Sequence, residues 1–240
     1  HWDCLVLATG ATPRALSVSQ GRSDRLMVLR HPDDARTLRH HLHQSHDVMI
    51  IGGGYIGLEV AASARQLGKS VTVVEAADRL LARVASQAAS SFFHDLHESH
   101  GVAIHTGAQV DSLTDDGQVM TINLSDGRAM TADVVVAGIG VIPETQLADA
   151  AGLSIGNGIL TNNNYQSSHD GIYAIGDVAL PDHGYTHGQI RLESVHHAQM
   201  SAEIAAATMM AETSSADVAE HEVPWFWSEQ YDLRLQSAGL

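Results

Sequence analysis

Residues 47–52, DVMIIG, form a short unbroken apolar run, the length of a buried strand. A glycine turn follows. YIGLEVAASARQLG, residues 55–68, then carries its apolar side chains at helical spacing. SVTVVE, residues 70–75, returns to strand character. Together they predict a β-α-β unit with a right-handed crossover. Upstream, DCLVLATGATPR predicts a buried strand, Cys4 included, that ends in a loop, and RLMVLR predicts a second strand. HPDDARTLRHHLHQ predicts an amphipathic helix. Pro32 lies near its start, Asp33 and Asp34 in its first turn, and Ala35, Leu38 and Leu42 along its apolar stripe.

Downstream, SQAASSFFHDLHESHG predicts a helix closed by Gly101. Residues 102–137 read as strand-rich, with turns at TDDG and LSDG, and end in the buried strand ADVVVAGIG. The pattern changes after Pro143: a helix at ETQLADAAG, strands at IGNGILT and GIYAIGD, and a long alanine-rich helix over residues 193–212. TSSADVAEHE reads as a linker, and VPWFWSEQYDLRLQSAGL opens something new. This layout predicts a nucleotide domain, residues 30–140, inserted between two pieces of another domain.

Composition narrows the function. The chain has 240 residues, 44% of them hydrophobic, with 21 glycines and 5 prolines, as suits an α/β protein. No apolar run approaches the roughly 20 residues of a membrane helix. A formal charge of −15, with Lys69 the one lysine, argues against nucleic-acid or anionic-membrane binding. The single cysteine, Cys4, leaves no intramolecular disulfide, and a cytoplasmic setting is the default expectation. Sixteen histidines stand out, among them His94, His97 and His100, three apart on a predicted helix. A metal site there would need carboxylate partners behind the imidazoles. The plainer reading is that histidine replaces lysine and glutamine on solvated faces, and no metal site is expected.

Gly52, Gly54 and Gly57 make G-x-G-x-x-G. Gly52 permits the tight turn from strand to helix. Gly54 lets the backbone approach a pyrophosphate, and Gly57 lets the helix pack on the strand. The phosphates would rest on free N–H groups at the helix start, around Tyr55 and Ile56. A glycine triplet alone says little, since a tight turn needs no ligand. Here it follows a strand, opens a helix, and is followed 18 residues after Gly57 by Glu75, near the spacing of about 20 that places an acid on the ribose. Glu75 would accept from a ribose 2′-hydroxyl and repel a 2′-phosphate, which favours NAD over NADP. Arg79 leaves some tolerance for that phosphate, lines the adenine, or pairs with Asp78. Glu59, two residues past Gly57, is either a surface residue of the helix or a group at the nicotinamide end.

LVLATGATPR, GGGYIGLE, VVEAADRLLARV, VVVAGIGVIPETQLA and GIYAIGDVA occur in that order. They resemble the flavoprotein pyridine nucleotide oxidoreductases, which carry FAD and NAD(P) domains. RLESVHHAQ and VPWFWSEQYDLRLQSAGL resemble, more narrowly, the NADH-dependent ferredoxin reductases of oxygenase systems. The resemblance covers essentially the whole chain. It implies an α/β fold, a Rossmann-like NAD-binding domain inserted in a partial FAD-binding domain. Residues 1–29 and 141–222 would be the flavin pieces, and 223–240 the start of a C-terminal interface domain. The chain would then be the middle of a longer protein.

The resemblance also implies roles. Ala8, Thr9, Gly10 and Arg14 would lie near the flavin nucleotide. Asp177 would accept from the ribityl hydroxyls of FAD, with Val178, Glu193 and Trp227 close by. Gly138, Ile139 and Gly140 would form the return crossover beside bound NAD, and Glu59 would meet the nicotinamide carboxamide. Trp225 and Trp227 would provide aromatic surface near the flavin. His197 departs from the pattern: it stands where the motif has asparagine.

The implied activity is transfer of electrons from NADH through FAD to an iron–sulfur ferredoxin or a rubredoxin-like protein. It needs no side-chain acid or nucleophile, so no catalytic residue is expected. Two rivals share the motifs: an NADH oxidase or disulfide reductase, which needs a redox cysteine, and a non-enzymatic protein of the apoptosis-inducing-factor type. The acidic charge opposes an acidic acceptor. The acceptor would therefore need a local basic patch or the C-terminal domain.

Overall fold

The computed structural model describes residues 2–16, 23–183, 188–210 and 223–239. The linker-like residues 213–222 lie outside them. Two compact units emerge. One comprises His1–Thr12, Val141–Trp227 and Gln236–Leu240; the other comprises Pro13–Gly140 and Ser228–Leu235.

The second unit is built on a five-stranded parallel sheet. Its order is Leu26–Met27, Val134–Ala137, Asp47–Ile51, Ser70–Val74, Val102–His105. Its strands are buried on both faces, which explains the unbroken apolar runs. Val48, Ile50, Val71, Val73, Val134 and Val136 pack with Leu38, Leu42, Leu58, Ala61 and Phe93 from the helices Pro32–Gln44, Tyr55–Gln66 and Gln87–Ser99. Met49, Ile51, Val74 and Val135, on the opposite pleat, pack with Leu113, Met120, Ile122 and Leu124. These belong to an antiparallel meander, Val110–Asp115, Met120–Leu124 and Ala129–Ala132. Each such apolar side chain, fully buried, stabilises the fold by roughly 1.5–3 kcal/mol before entropy is subtracted.

This unit begins earlier than residue 30 because Leu26 and Met27 pair with Val135 and Val136 at the sheet edge. It also gains residues 228–235, the tip of a C-terminal hairpin formed by Trp225–Gln230 and Leu233–Ala238. Leu235 packs against the helix-side core. The first helix matches its expected stripe at Leu38 and Leu42, but Ala35 is exposed. Asp34 accepts from the N–H groups of His31 and Arg30, and those bonds hold its carboxyl below the usual carboxylate range.

The other unit pairs Leu5–Leu7 in parallel with Ile172–Ala174. A four-stranded sheet follows the order Ile155–Gly156, Gly158–Thr161, Ala179–His183, Gly188–Gln189. The helix Val195–Met209 lays Met200, Ile204 and Ala205 on Leu7, Ile159, Ile172, Ala174 and Val178. Its start is capped by Ser194, whose Oγ accepts from His197 N at 3.0 Å. The first strand is shorter than expected and only partly buried, with Val6 exposed. Cys4 precedes it and is exposed, because the pairing begins at Leu5.

Candidate nucleotide-binding site

In the second unit the glycine turn leaves the carboxyl end of Asp47–Ile51. Gly52 has φ +108° and donates to Val74 O at 2.8 Å. A β-carbon there would lie 2.4 Å from Gly138 O, so only glycine admits the return loop so close. At Gly57 a β-carbon would lie 2.1 Å from Gly52 O, which seals helix against turn. Gly54 differs: nothing lies within 4 Å of its built β-carbon. Two glycines are therefore required by the protein itself, and the third faces open space. The first bond of the helix is Leu58 N to Gly54 O at 3.0 Å, so the N–H groups ahead of it fall outside the helical ladder. Tyr55 is half-buried and its hydroxyl donates to Val84 O at 3.4 Å, while Ile56 is exposed. Burial pushes the Tyr55 phenol above its ordinary value.

Glu75 is half-buried beside this turn. Its Oε2 accepts from Gly53 N at 2.6 Å and its Oε1 from Ala77 N at 2.7 Å. Both oxygens are thereby oriented, and each retains a lone pair for a further donor. Arg79 does not pair with Asp78; it donates to Ala82 O at 2.9 Å and Ala85 O at 3.0 Å, bracing the loop after the strand. In the return loop, Gly138 N donates to Ile51 O at 2.8 Å, Ile139 packs on the meander-side core, and Gly140 has φ +94°.

Arg14, expected beside the flavin, belongs to this unit: its N–H donates to Gly140 O at 2.9 Å. The Arg14 and Arg83 guanidinium groups each come within 3.8 Å of a β-carbon built on Gly140. Sequence reasoning missed Arg83, although it lies in the quoted VVEAADRLLARV. Glu59 is half-buried, and its Oε1 accepts from Ser228 Oγ at 2.6 Å.

The other residues expected near the flavin lie in the first unit. Ala8 and Thr9 form an exposed loop, and Gly10 has φ +69°. Thr9 Oγ1 donates to Glu144 O at 2.6 Å, Gly10 O accepts from Glu144 N at 2.9 Å, and Thr12 bonds the Glu144 carboxylate. Asp177 and Val178 lie in a single 3-10 turn, Gly176–Val178, with Val178 buried. Gly176, φ +67°, donates to Ser201 Oγ at 3.0 Å, which ties the turn to the long helix. Arg191 Nη1 reaches Asp177 O at 3.3 Å and Glu193 Oε1 at 2.6 Å. Its Nε and Thr161 Oγ1 are buried without a hydrogen-bond partner among the described residues. That donor set, with the Asp177 carboxylate, fits a polyhydroxylated anionic group. His197 points inward: fully buried, its Nδ1 is 3.5 Å from Tyr165 Oη and the rings are 5.6 Å apart. Trp227 stacks on Trp225 at 5.0 Å, and Trp225 meets His196 edge-on.

Among the described residues no group of three or more His, Cys, Asp or Glu is placed to hold a metal ion, and no helix is long and apolar enough to cross a membrane. The histidines are not all solvated, however: His97 is fully buried.

Comparison with known proteins agrees with this geometry. The chain is 40% identical over 245 residues to putidaredoxin reductase of Pseudomonas putida, covering 100% of this chain and 57% of that protein. It is 37% identical over 239 residues to rubredoxin-NAD(+) reductase of the same organism, covering 99% and 61%. The crystal structure of a covalent putidaredoxin reductase–putidaredoxin complex superposes with a TM-score of 0.93 at 38% identity, covering 100% of this chain and 58% of that one. The chain thus spans somewhat over half the length of these relatives. The pattern of the pyridine nucleotide-disulphide oxidoreductases matches residues 1–202, and the chain belongs to that family.

Proposed function

We propose that the protein containing this chain passes electrons from NADH through FAD to an iron–sulfur ferredoxin or a rubredoxin-like acceptor of an oxygenase system. The nucleotide turn carries the reading: two glycines sealed by protein, a third facing open space, and an oriented carboxylate beside it. The unit of Pro13–Gly140 and Ser228–Leu235 is the NAD-binding part. The first unit supplies flavin-binding pieces, and residues from 223 onward begin the interface domain. A cytoplasmic setting belongs to this reading.

In the nucleotide unit, the N–H groups at the start of Tyr55–Gln66 receive the pyrophosphate. Glu75 accepts from the adenosine ribose, and Arg14 and Arg83 supply positive charge at the return loop. Glu59 accepts from the nicotinamide carboxamide. In the first unit, Asp177 accepts from the hydroxyls of FAD, and Arg191 brings charge to the same turn. Bound FAD supplies the chemistry of accepting a hydride and releasing electrons singly. The acceptor is inferred from the relatives, named for putidaredoxin and rubredoxin, one of them solved in complex with putidaredoxin.

Replacing Glu75 with alanine tests the nucleotide assignment. In the full-length protein, NADH should bind about tenfold more weakly as its charge-assisted hydrogen bond to the ribose is lost. The preference over NADPH should narrow at the same time. A wild-type protein that uses NADPH as well as NADH would overturn the assignment. Steady-state reduction of purified ferredoxin and rubredoxin tests the acceptor.

A further inference from the structure

A chain of hydrogen bonds runs through the second unit from the tip of the C-terminal hairpin to the glycine-turn helix. Ser228 Oγ donates to Glu59 Oε1 at 2.6 Å, and Gln230 Nε2 donates to Ser228 Oγ at 3.1 Å. Gln230 Oε1 is then the acceptor facing His97 Nε2 at 2.8 Å, so that nitrogen carries the imidazole proton. The other nitrogen, Nδ1, accepts from the Tyr231 hydroxyl at 3.0 Å. Tyr231 in turn stacks on His100, with ring centroids 3.7 Å apart and planes 13° from parallel.

Each member has one consistent role, and the sequence of donors points at the carboxylate. Ser228, Gln230 and His97 are all buried, at 1%, 0% and 0% exposure. Apolar side chains would dock a hairpin without burying polar groups. A satisfied polar chain that ends on a carboxylate instead specifies one conformation of that carboxylate. Among the described residues Glu59 Oε2 has no hydrogen-bond partner, so one oxygen is fastened and the other is left for a ligand.

We propose that Ser228, Gln230 and His97 are positioning residues, which hold Glu59 in the orientation that receives the nicotinamide carboxamide. The inference rests on the nucleotide reading above. Holding the side chain in advance reduces the rotamer freedom lost when the nucleotide binds. The neutral His97 that the chain needs is favoured by its surroundings: burial lowers its basicity and His100 and His94 lower it further, against the Gln230 bond, which raises it.

The test compares two ligands of the full-length protein, NAD+ and ADP-ribose, which lacks the nicotinamide. Ser228→Ala should weaken NAD+ about tenfold, the scale of one hydrogen bond to a charged group, and leave ADP-ribose within about twofold. Ser228→Thr keeps the hydroxyl and should restore NAD+ binding. Ser228→Ala combined with Glu59→Gln should bind NAD+ no more weakly than Glu59→Gln alone, because the serine acts through the glutamate. Equal weakening of both ligands, no weakening of NAD+, or additive effects in the double variant would overturn the proposal. Wild-type protein that fails to bind ADP-ribose would overturn the nucleotide reading beneath it.

Discussion

The two units treat their glycine turns differently. In the nucleotide unit the turn is closed on two sides by backbone, Gly138 O above Gly52 and Gly52 O beneath Gly57, and on a third by the Glu75 carboxylate on the Gly53 N–H. In the other unit the loop at Gly10 is held by one backbone bond, from Glu144 N to Gly10 O, together with the Thr9 hydroxyl on Glu144 O, and the turn at Gly176 by the Ser201 hydroxyl. Backbone closure leaves no freedom to substitute, whereas side-chain closure can be loosened without collapse. The first kind of site lives on the sheet, and the second on contacts between loops.

The contrast breaks first at the glycines. Gly57→Ala should cost about 3 kcal/mol by overpacking, with nucleotide binding lost, as thermal unfolding and titration would show. Gly54→Ala should leave unfolding within about 1 kcal/mol of wild type, yet still weaken NADH, because Gly54 faces space and not protein. Equal melting losses in the two variants would erase the distinction. Asp177→Ala should sharpen the comparison from the other side. Loss of its hydrogen bonds should weaken FAD by about 2 kcal/mol, read by absorbance after desalting, and leave NAD+ affinity unchanged.

A smaller effect is expected from pH. Burial holds His97 below its ordinary 6.5. Above that pH the folded and unfolded states are both neutral and the contribution is constant. Below it, the unfolded chain takes a proton that the native state refuses. Stability then falls by up to about 1.4 kcal/mol per pH unit until the native value is reached. His97→Gln should flatten that part of the profile relative to wild type. Cys4→Ser should change least, within about 0.5 kcal/mol, since the thiol is exposed and outside the strand.

The nucleotide turn was legible because its elements are local: strand, glycines, helix and acid fall within one short stretch, and each changes the hydrophobic period. His97 was not read correctly. It sits four residues after Phe93, on the buried face of the same helix, but a histidine there looks like a solvated one until its partners are known. Those partners, Gln230 and Tyr231, are more than 130 positions away and leave no periodic trace. The backbone bond from Arg14 N to Gly140 O, 126 positions away, was likewise invisible in the motif order. The strand at Leu26 and Met27 was legible in RLMVLR, but its parallel pairing with Val135 and Val136, more than 100 positions away, was not.

The Ser228–Glu59 bond joins residues 169 positions apart. A ribosome adding about 5–20 residues per second therefore delivers the serine on the order of ten seconds after the glutamate. By the end of that interval all five strands of the parallel sheet have been made, but the His97 side chain still has neither Gln230 nor Tyr231 to face. The nucleotide unit is thus finished by residues synthesised well after its sheet. Its final hydrogen bonds therefore report that translation has passed the hairpin.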